Sequence, residues 1–267
     1  MAAVSANRFV PSYRKPPERL VREFIHAIAD VDRLYVMTGA GISTESGIPD
    51  YRSEGVGTYA RSNYRPVTHQ EFMANPHVRQ RFWARNFLAW PRFRDAAPNA
   101  THRAIAKWER SDRFGWLVTQ NVDGLHSKAG SSDHSELHGS GHRVRCMECD
   151  GRMSRDELQT LFAAANPHWL SVDAPGELNP DGDVTIEPGA EKTLVDCPEC
   201  SGVLKTDVVF FGDNVPKDEV ELCYEKLEQC AGVLVLGSSL SVMSGYRFVY
   251  QWHRCKSVNI RVVMACP

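Results

Sequence analysis

Short apolar runs alternate with amphipathic stretches along most of the chain. Four of the runs have the length and the polar or glycine-rich flanks of buried β-strands, and they occupy residues 34–37, 116–119, 208–212 and 232–237. Residues 258–264 form a fifth candidate strand. The order of the runs predicts a sheet whose strands are separated by helices.

Apolar residues at helical spacing fill the stretches between these strands. A first helix is predicted to begin at Pro16 and to pack one apolar face on the sheet. That face consists of Leu20, Val21, Phe24, Ile25 and Ile28. Further helices are predicted at residues 70–90, 98–108 and 217–229, and a long loop at residues 53–68. Alternating strands and helices are typical of a parallel, doubly wound sheet, so the predicted fold class is α/β with a Rossmann-like sheet.

The composition changes between residues 140 and 203. Residues 173–191 are rich in proline, glycine and acidic residues and contain few large apolar ones, which indicates an insertion rather than sheet core. We therefore predict a small zinc-binding module at residues 140–203, inserted into a Rossmann-like domain formed by residues 16–139 and 204–267. Residues 1–15 are basic and lack acids, which fits either the remnant of a mitochondrial presequence or a disordered polar start.

The first candidate strand is followed by a glycine-rich segment. Gly39 and Gly41 allow a sharp turn and a close approach of the backbone to a ligand. Ser43 then offers a helix cap, which would direct free N–H groups at an anion. The full G-x-G-x-x-G fingerprint is absent because Gly47 comes one residue late, so the glycines alone are weak evidence for a nucleotide. Residues 50–52 add an acid, an aromatic and a base, which a plain connection would not need.

Polar residues follow the second candidate strand at residues 120–123. The carboxyl ends of buried strands are where open α/β sheets bind ligands. His138 ends a short predicted strand just before the first cysteine pair, at the seam between the two predicted domains, where clefts form. This position makes His138 a candidate general base, although a lone histidine is more often structural. His126 is the next candidate.

Four of the eight cysteines form two Cys-x-x-Cys pairs, each with a glycine two residues after its second cysteine. The pairs are Cys146 with Cys149 and Cys197 with Cys200. Glycine permits the tight knuckle that points two thiolates at one ion. The repeated motif favours one structural tetrathiolate zinc over redox-active pairs or disulfides. A closed site of this kind has no open position for a substrate, so it has no catalytic role.

Composition and charge narrow the choice of partners. The chain has 267 residues, of which 42% are hydrophobic and 24% charged, as in ordinary globular proteins. The formal net charge of −2 provides no general attraction to nucleic acid. No apolar run approaches the length of a membrane span. We therefore expect neither nucleic acid nor a membrane as a partner.

Taken together, these blocks resemble the sirtuins, the NAD-dependent protein deacylases. In the order of that family, the chain has a glycine-rich opening at residues 39–43, Thr-Gln-Asn-Val-Asp at 119–123, His138-Gly139, the two cysteine pairs, and Gly-Ser-Ser at 237–239. The resemblance covers residues 34–246. Tyr51 and residues 208–213 and 244–248 are similar to the class II mitochondrial branch, the sirtuin-4 type.

The resemblance implies NAD as a co-substrate and a role for each matching residue. Contacts with NAD are implied for Gly39, Ala40, Gly41, Ser43, Ile48, Asp50, Tyr51, Arg52, Tyr59, Gln120, Asn121, Val122, Asp123, Gly237, Ser238, Ser239, Asn259 and Ile260. The glycine-rich opening and Arg52 would meet the diphosphate, and Asn259 the adenine-side ribose. Catalytic roles are implied for His138 and Asn121.

The implied reaction transfers an acyl group from a protein lysine to the ADP-ribose part of NAD. The acyl oxygen attacks the ribose carbon as nicotinamide leaves. His138 then takes a proton from a ribose hydroxyl, and that oxygen attacks the acyl carbon. Residues 209–212 would pair with the substrate backbone by strand addition. The loop residues Tyr59, Arg61 and Arg65 either select the acyl group or form a solvated basic face.

The branch that the chain resembles also implies substrates and a location. The expected substrates are lipoyl-, biotinyl- or acetyl-lysines of metabolic enzymes in the mitochondrial matrix. Transfer of ADP-ribose is an expected second activity.

One departure from the family leaves an alternative function open. After Asn259 and Ile260, Arg261 stands where relatives have glycine, and the sequence ends at Pro267. If the adenine end of the pocket is incomplete, NAD would bind weakly and an apolar patch would be exposed. The protein would then be a catalytically weak, sirtuin-like binding module. A third possibility, a zinc-ribbon protein that binds nucleic acid, leaves the other blocks unexplained.

Overall fold

A computed structural model of the chain describes residues 6–171, 176–184 and 193–255. The strands of this part are β1 (Leu34–Thr38), β2 (Phe114–Thr119), β3 (His134–Glu136), β4 (Gly139–Cys146), β5 (Arg152–Ser154), β6 (Leu204–Val208) and β7 (Gly232–Leu236). Its α-helices are α1 (Glu18–Ala29), α2 (Thr58–Arg61), α3 (His69–Ala74), α4 (Pro76–Asp95), α5 (Ala100–Trp108), α6 (Leu125–Ala129), α7 (Arg155–Ala165), α8 (Lys217–Glu228) and α9 (Met243–Cys255). A 3-10 helix, Ala40–Ser46, follows β1.

The larger sheet is parallel, with strand order β3-β2-β1-β7. The central strand β1 is buried along its whole length. Tyr35 and Met37 pack in one apolar cluster with α8 and α9. Leu34 and Val36 pack in a second cluster, with α5 and the inner side of α1, on the other face. Helices on both faces of a parallel sheet confirm the predicted α/β, doubly wound class.

Helix α1 packs less of its apolar face on the sheet than its sequence predicts. Phe24 and Ile28 contact the cluster that includes Leu34, Val36 and Ile105. Leu20 and Ile25 are each 52% exposed and Val21 is 37% exposed. Only one edge of the predicted apolar face is therefore covered by the described residues.

The smaller sheet is antiparallel, with strand order β5-β4-β6. It shares the largest apolar cluster of the described residues with α4 and α7. Trp83 of α4 lies 5.3 Å from Phe162 of α7, measured between ring centroids. The aromatic residues of α4 therefore join the module to the larger domain through packed side chains.

The single helix predicted for residues 70–90 is wrong, because two helices occupy this stretch. Helix α3 ends at Ala74, and α4 begins at Pro76. A proline disfavours helical backbone at the residue before it and is well tolerated in the first turn of a new helix. Asn75 caps α4 by accepting a hydrogen bond from the His77 N–H at 2.9 Å.

The strand predicted for residues 208–212 is also wrong. The strand here, β6, is Leu204–Val208, and it belongs to the antiparallel sheet. The apolar run signals burial rather than strand pairing, because Phe210 leaves the ladder and packs edge-on against Phe72 at 5.4 Å. Val209 still donates its N–H to the carbonyl of His138 at 2.9 Å.

Two further predictions concern His138 and the C-terminal strand. His138 lies between β3 and β4 and does not end a strand. The predicted strand at 258–264, with Asn259 and Ile260, lies outside the described residues. Among the described helices, none combines the length and apolarity that crossing a bilayer requires.

Two buried histidines lie close together next to the end of β1. The His126 Nε2 atom lies 2.9 Å from the Thr38 hydroxyl. The ring of His102 stands 5.0 Å from that of His126, measured between centroids. Burial lowers the pKa of His126 to about 3 and the pKa of His102 to about 4. Both side chains are therefore neutral in the folded protein at neutral pH.

These two histidines should make the fold acid-sensitive. Their folded-state pKa values lie below the unfolded value of about 6.5, so the unfolded chain binds more protons at lower pH. Their stabilising contribution is complete above pH 6.5 and is lost as the pH falls towards 4 and 3. At pH 5.5 the loss should be on the order of 1.4 kcal/mol for each histidine.

Urea unfolding at pH 7.5 and pH 5.5 measures this loss. A His126→Gln variant should lose less stability between the two pH values than the wild type. His26→Gln, on the exposed side of α1, serves as the control and should behave as the wild type. An unchanged pH dependence in His126→Gln would contradict the assignment.

Candidate functional site

The four cysteines predicted to bind zinc converge at one end of the antiparallel sheet. All four Sγ atoms of Cys146, Cys149, Cys197 and Cys200 lie within 4.8 Å of one another. The Cys146 and Cys200 sulfurs are 3.5 Å apart, and the Cys149 and Cys197 sulfurs 3.8 Å apart. A tetrahedral ZnS₄ centre with Zn–S bonds of about 2.3 Å has S···S edges of about 3.8 Å, so the cluster fits zinc.

The backbone around the cysteines is also arranged for thiolates. Two residues beyond each of three cysteines, a backbone N–H points at the sulfur: Glu148 at Cys146 (3.4 Å), Gly151 at Cys149 (3.3 Å) and Gly202 at Cys200 (3.3 Å). A Cβ atom at Gly202 would lie 2.9 Å from the Cys146 sulfur. Glycine is therefore required for the knuckle to close. N–H donors stabilise negative charge on sulfur, as zinc ligation requires.

A separate cavity opens at the carboxyl ends of β1, β2 and β7. Its volume is about 460 Å³. The strand ends meet through backbone contacts, in which Gly41 donates its N–H to the Gly237 carbonyl at 2.8 Å. A Cβ atom at Gly39 would lie only 2.7 Å from the Cβ of Ser238. The missing Cβ atoms let the two strand-end turns meet, and both turns then line the cavity.

Asn121 and Asp123 form a buried network behind the glycine turn. Asn121 donates its Nδ2–H to the Gly39 carbonyl and lies 3.1 Å from the Ser43 hydroxyl. Ser43 donates its hydroxyl to Asp123 at 2.6 Å. Burial raises the pKa of Asp123, and the hydrogen bond from Ser43 partly offsets that rise. The network fixes the side chains of β2 against the turn that follows β1.

Gln120 links the three strand ends through its backbone and its side chain. Its backbone N–H donates to the Thr38 carbonyl at 3.0 Å, and its side-chain amide donates to the Ser238 hydroxyl at 2.8 Å. Its carbonyl oxygen lies 2.9 Å from the Nδ1 atom of His138. One residue therefore connects the glycine turn, the end of β7 and the candidate base.

His138 lies at the wall of the cavity with both ring nitrogens in hydrogen bonds. Its Nδ1 atom faces the Gln120 carbonyl, and its Nε2 atom lies 2.8 Å from the Ser244 hydroxyl. Burial lowers the pKa of His138, and the contact with the Gln120 carbonyl partly opposes this shift. The imidazole is therefore neutral near pH 7, the state that a general base requires.

Residues 50–53 form a rigid rim of the cavity. The Asp50 carboxylate accepts hydrogen bonds from the backbone N–H groups of Arg52 (3.0 Å) and Ser53 (2.8 Å) and from the Ser53 hydroxyl. Tyr51 donates its hydroxyl to Asp181 at 2.5 Å, which joins the rim to the inserted module. Burial raises the pKa of Asp181, and its hydrogen bond from Tyr51 partly offsets that rise.

Most of the NAD-contact residues predicted from the sequence line this one cavity. They are Gly39, Ala40, Gly41, Ser43, Ile48, Asp50, Tyr51, Arg52, Gln120, Asn121, Val122, Asp123, Gly237, Ser238 and Ser239, together with His138. Tyr59 is not among the lining residues; it packs beside Tyr51 at 5.5 Å between ring centroids. Asn259 and Ile260 lie outside the described residues.

Sequence reasoning gave no site role to several polar residues of the lining, among them Asp181, Ser244 and Arg247. Asp181 lies in the stretch rich in proline, glycine and acids, where no periodic pattern distinguishes one acid from the next. Ser244 and Arg247 lie in a run that suggested a family branch but no role. Their nearness to the cavity depends on how α9 packs, which no local signal reveals.

The chain is similar to proteins of one family. The sequence pattern of the Sir2 family matches residues 39–244. The NAD-dependent protein deacylase sir-2.2 of Caenorhabditis elegans is 54% identical over 248 residues, which cover 92% of this chain and 86% of that protein. The human NAD-dependent protein lipoamidase sirtuin-4, mitochondrial, is 48% identical over 247 residues, covering 92% and 78%.

A solved structure of the same family is also similar to this chain. A crystal structure of a Sir2 homolog–NAD complex has a TM-score of 0.62 and 26% identity to this chain. The match covers 96% of this chain and 83% of that one.

Removing one thiolate should release the metal and unfold the module. Metal binding supplies folding free energy on the order of 10 kcal/mol in such sites, so Cys197→Ala should lose zinc and stability together. Metal analysis and thermal unfolding measure the two effects. Cys230→Ala, which removes a buried cysteine outside the cluster, is the control and should keep one zinc per chain. Wild-type protein without zinc, or a Cys197→Ala variant of unchanged stability, would contradict the assignment.

Proposed function

The chain belongs to the Sir2 family, and on that premise we propose that it is an NAD-dependent protein deacylase that removes acyl groups from lysine side chains. The observation that carries the proposal is the meeting of a bare glycine turn, a buried amide–carboxylate network and a neutral histidine in one cavity. NAD is the co-substrate of the reaction, and one structural zinc holds the small module.

Each part of the cavity has its own task toward NAD. The backbone at Gly39, Ala40 and Gly41, with the guanidinium of Arg52, binds the diphosphate. Asn121 and Asp123 hold the nicotinamide and its ribose, and Ile48 packs at that end of the cavity. Asp123 offers an acceptor, which suits the N–H₂ of a carboxamide. Ser238 and Ser239 meet phosphate and ribose from the end of β7.

His138 is the general base of the acyl transfer. The Gln120 carbonyl is an acceptor only, so Nδ1 of His138 carries the proton and Nε2 keeps its lone pair. The acyl oxygen of the substrate attacks the ribose carbon as the bond to nicotinamide breaks. A ribose hydroxyl then gives its proton to Nε2, and its oxygen attacks the acyl carbon. A water molecule then adds to the same carbon, the bond from that carbon to the lysine nitrogen breaks, and the amine leaves with a proton. The products are unmodified lysine, nicotinamide and O-acyl-ADP-ribose.

The substrate peptide lies along residues 209–212. Four of the lining residues come from this segment, which follows β6 and begins beside His138. An acyl-lysine peptide adds to it as a strand, which places the acyl-lysine side chain in the cavity. Lipoyl-, biotinyl- and acetyl-lysine are the proposed acyl-lysines. Metabolic enzymes of the mitochondrial matrix are the proposed targets, because relatives of this chain carry mitochondrial names.

No observation within the described residues favours the alternative of a catalytically weak binding module. The glycine turn, the Asn121–Asp123 network and His138 are all present and connected. A binding module would not need a neutral imidazole beside the glycine turn.

A His138→Ala variant tests the proposal directly. Peptides with acetyl-, lipoyl- or biotinyl-lysine are incubated with NAD, and free nicotinamide and deacylated peptide are measured by mass spectrometry. Loss of the base should slow deacylation about 10²- to 10⁴-fold while zinc content and NAD binding stay as in the wild type. His77→Ala, in the exposed first turn of α4, should retain full activity. The proposal is wrong if His138→Ala deacylates at the rate of the wild type, or if the wild type accepts none of the peptides.

A further inference from the structure

The Ser244 hydroxyl is hydrogen-bonded to Nε2 of His138, the atom that takes the proton in the proposed reaction. Nδ1 of His138 donates to the Gln120 carbonyl, so Nε2 of the neutral ring is an acceptor. The Ser244 hydroxyl lies 2.8 Å from Nε2 and is therefore the donor in this hydrogen bond. The bases of such reactions act through the lone pair that Ser244 engages here.

The fold holds Ser244 at this place by close packing of α9. Ser244 lies in the first turn of α9, and Phe248, Val249 and Trp252 anchor that helix in the apolar cluster on one face of the sheet. Gly245 follows directly, and a Cβ atom there would lie 2.7 Å from Oε1 of Gln120. A larger residue at position 245 would displace either the Gln120 side chain or the start of α9. The short serine–imidazole distance is thus a result of the architecture.

We propose that Ser244 is a positioning residue for the general base, which holds the His138 ring with its Nε2 lone pair toward the cavity until a ribose hydroxyl takes the place of the serine hydroxyl. This inference rests on the proposed deacylase function. It adds a residue of α9, 106 positions along the chain from His138, to the machinery of the acyl transfer step.

Two hydrogen bonds fix the orientation of the His138 ring, whereas one leaves the ring free to tilt. With the Gln120 hydrogen bond alone, the imidazole can tilt about the Nδ1–H···O contact, and Nε2 samples directions away from the cavity. A second hydrogen bond at Nε2 fixes the plane of the ring. A ribose hydroxyl offers the same O–H donor as serine, so the exchange replaces one hydrogen bond with an equivalent one. Rotation about the serine χ1 frees the space.

Loss of the Ser244 hydroxyl should affect one step of the reaction and not the other. Cleavage of the bond to nicotinamide precedes the proton transfer to His138, so it does not need an oriented Nε2. Acyl transfer does need Nε2 to be oriented, because this atom takes the proton. A Ser244→Ala variant should therefore slow acyl transfer in a single turnover about threefold to tenfold, the size of one hydrogen bond, while nicotinamide exchange stays within about twofold of the wild type.

The experiment combines these rates with nitrogen NMR of the imidazole rings in the NAD-free protein. Comparison with His138→Ala assigns the His138 signals. In Ser244→Ala the Nε2 signal should shift, because its hydrogen bond is lost. Ser244→Thr keeps a hydroxyl and should restore both the signal and the rate. Ser127→Ala, which removes a hydroxyl 3.4 Å from the His134 ring outside the cavity, should leave both as in the wild type.

The outcomes are distinct. An unchanged Nε2 signal in Ser244→Ala overturns the proposal, whatever happens to the rate. A shifted signal with an unchanged acyl transfer rate overturns it as well. If Ser244→Ala does not fold, Ser244→Val and Ser244→Thr, which have the same shape and differ in the hydroxyl, provide the same comparison. If the wild type releases no nicotinamide with any peptide, the deacylase function fails, and the NMR measurement alone decides whether Ser244 holds the ring.

Discussion

Backbone contact between two strand ends is the constraint on which the site depends. The turn after β1 and the turn after β7 approach so closely that Gly39 donates its N–H to the Leu236 carbonyl at 3.0 Å. Cβ atoms at Gly39 and Gly41 would collide with Ser238 and with the Gly237 carbonyl. Gly237 itself has φ +60°, where glycine is favoured. The two turns can therefore meet only because side chains are missing at these positions, and both turns line the cavity.

Gln120 connects His138, the general base, to the contact between the two strand ends. Gln120 follows β2, the neighbour of β1, and hydrogen-bonds to the Ser238 hydroxyl and to His138. Its carbonyl fixes the protonated nitrogen of the imidazole, and its amide fixes the end of β7. Any shift of the strand ends therefore moves the binding surface and the base together. The zinc cluster lies apart from this network and stabilises the small module, against whose sheet the aromatic residues of α4 pack.

Local signals in the sequence were sufficient for much of the fold and the site. Glycine spacing after an apolar run, polar residues at a strand end and repeated Cys-x-x-Cys pairs each specify a local geometry, and these geometries recur in the structure. The break between α3 and α4 has a local signal, Pro76, but two other failures share a different cause, since they concern contacts between distant residues. Phe210 left the predicted strand to pack with Phe72, and Asp181 meets Tyr51 across 130 positions. No periodicity encodes such contacts, because they follow from how whole elements pack.

Calorimetric titration of NAD into glycine variants measures the central claim most directly. Gly237→Ala adds a methyl group where the two strand ends touch, and Gly39→Ala does so from the other side. Gly47→Ala is the matched control, because Gly47 also has a positive φ, +83°, but its Cβ would have no atom within 4 Å. We predict at least about tenfold weaker NAD binding in Gly237→Ala and Gly39→Ala, with zinc retained, and near-wild-type affinity in Gly47→Ala. Wild-type affinity in Gly237→Ala and Gly39→Ala would contradict the account.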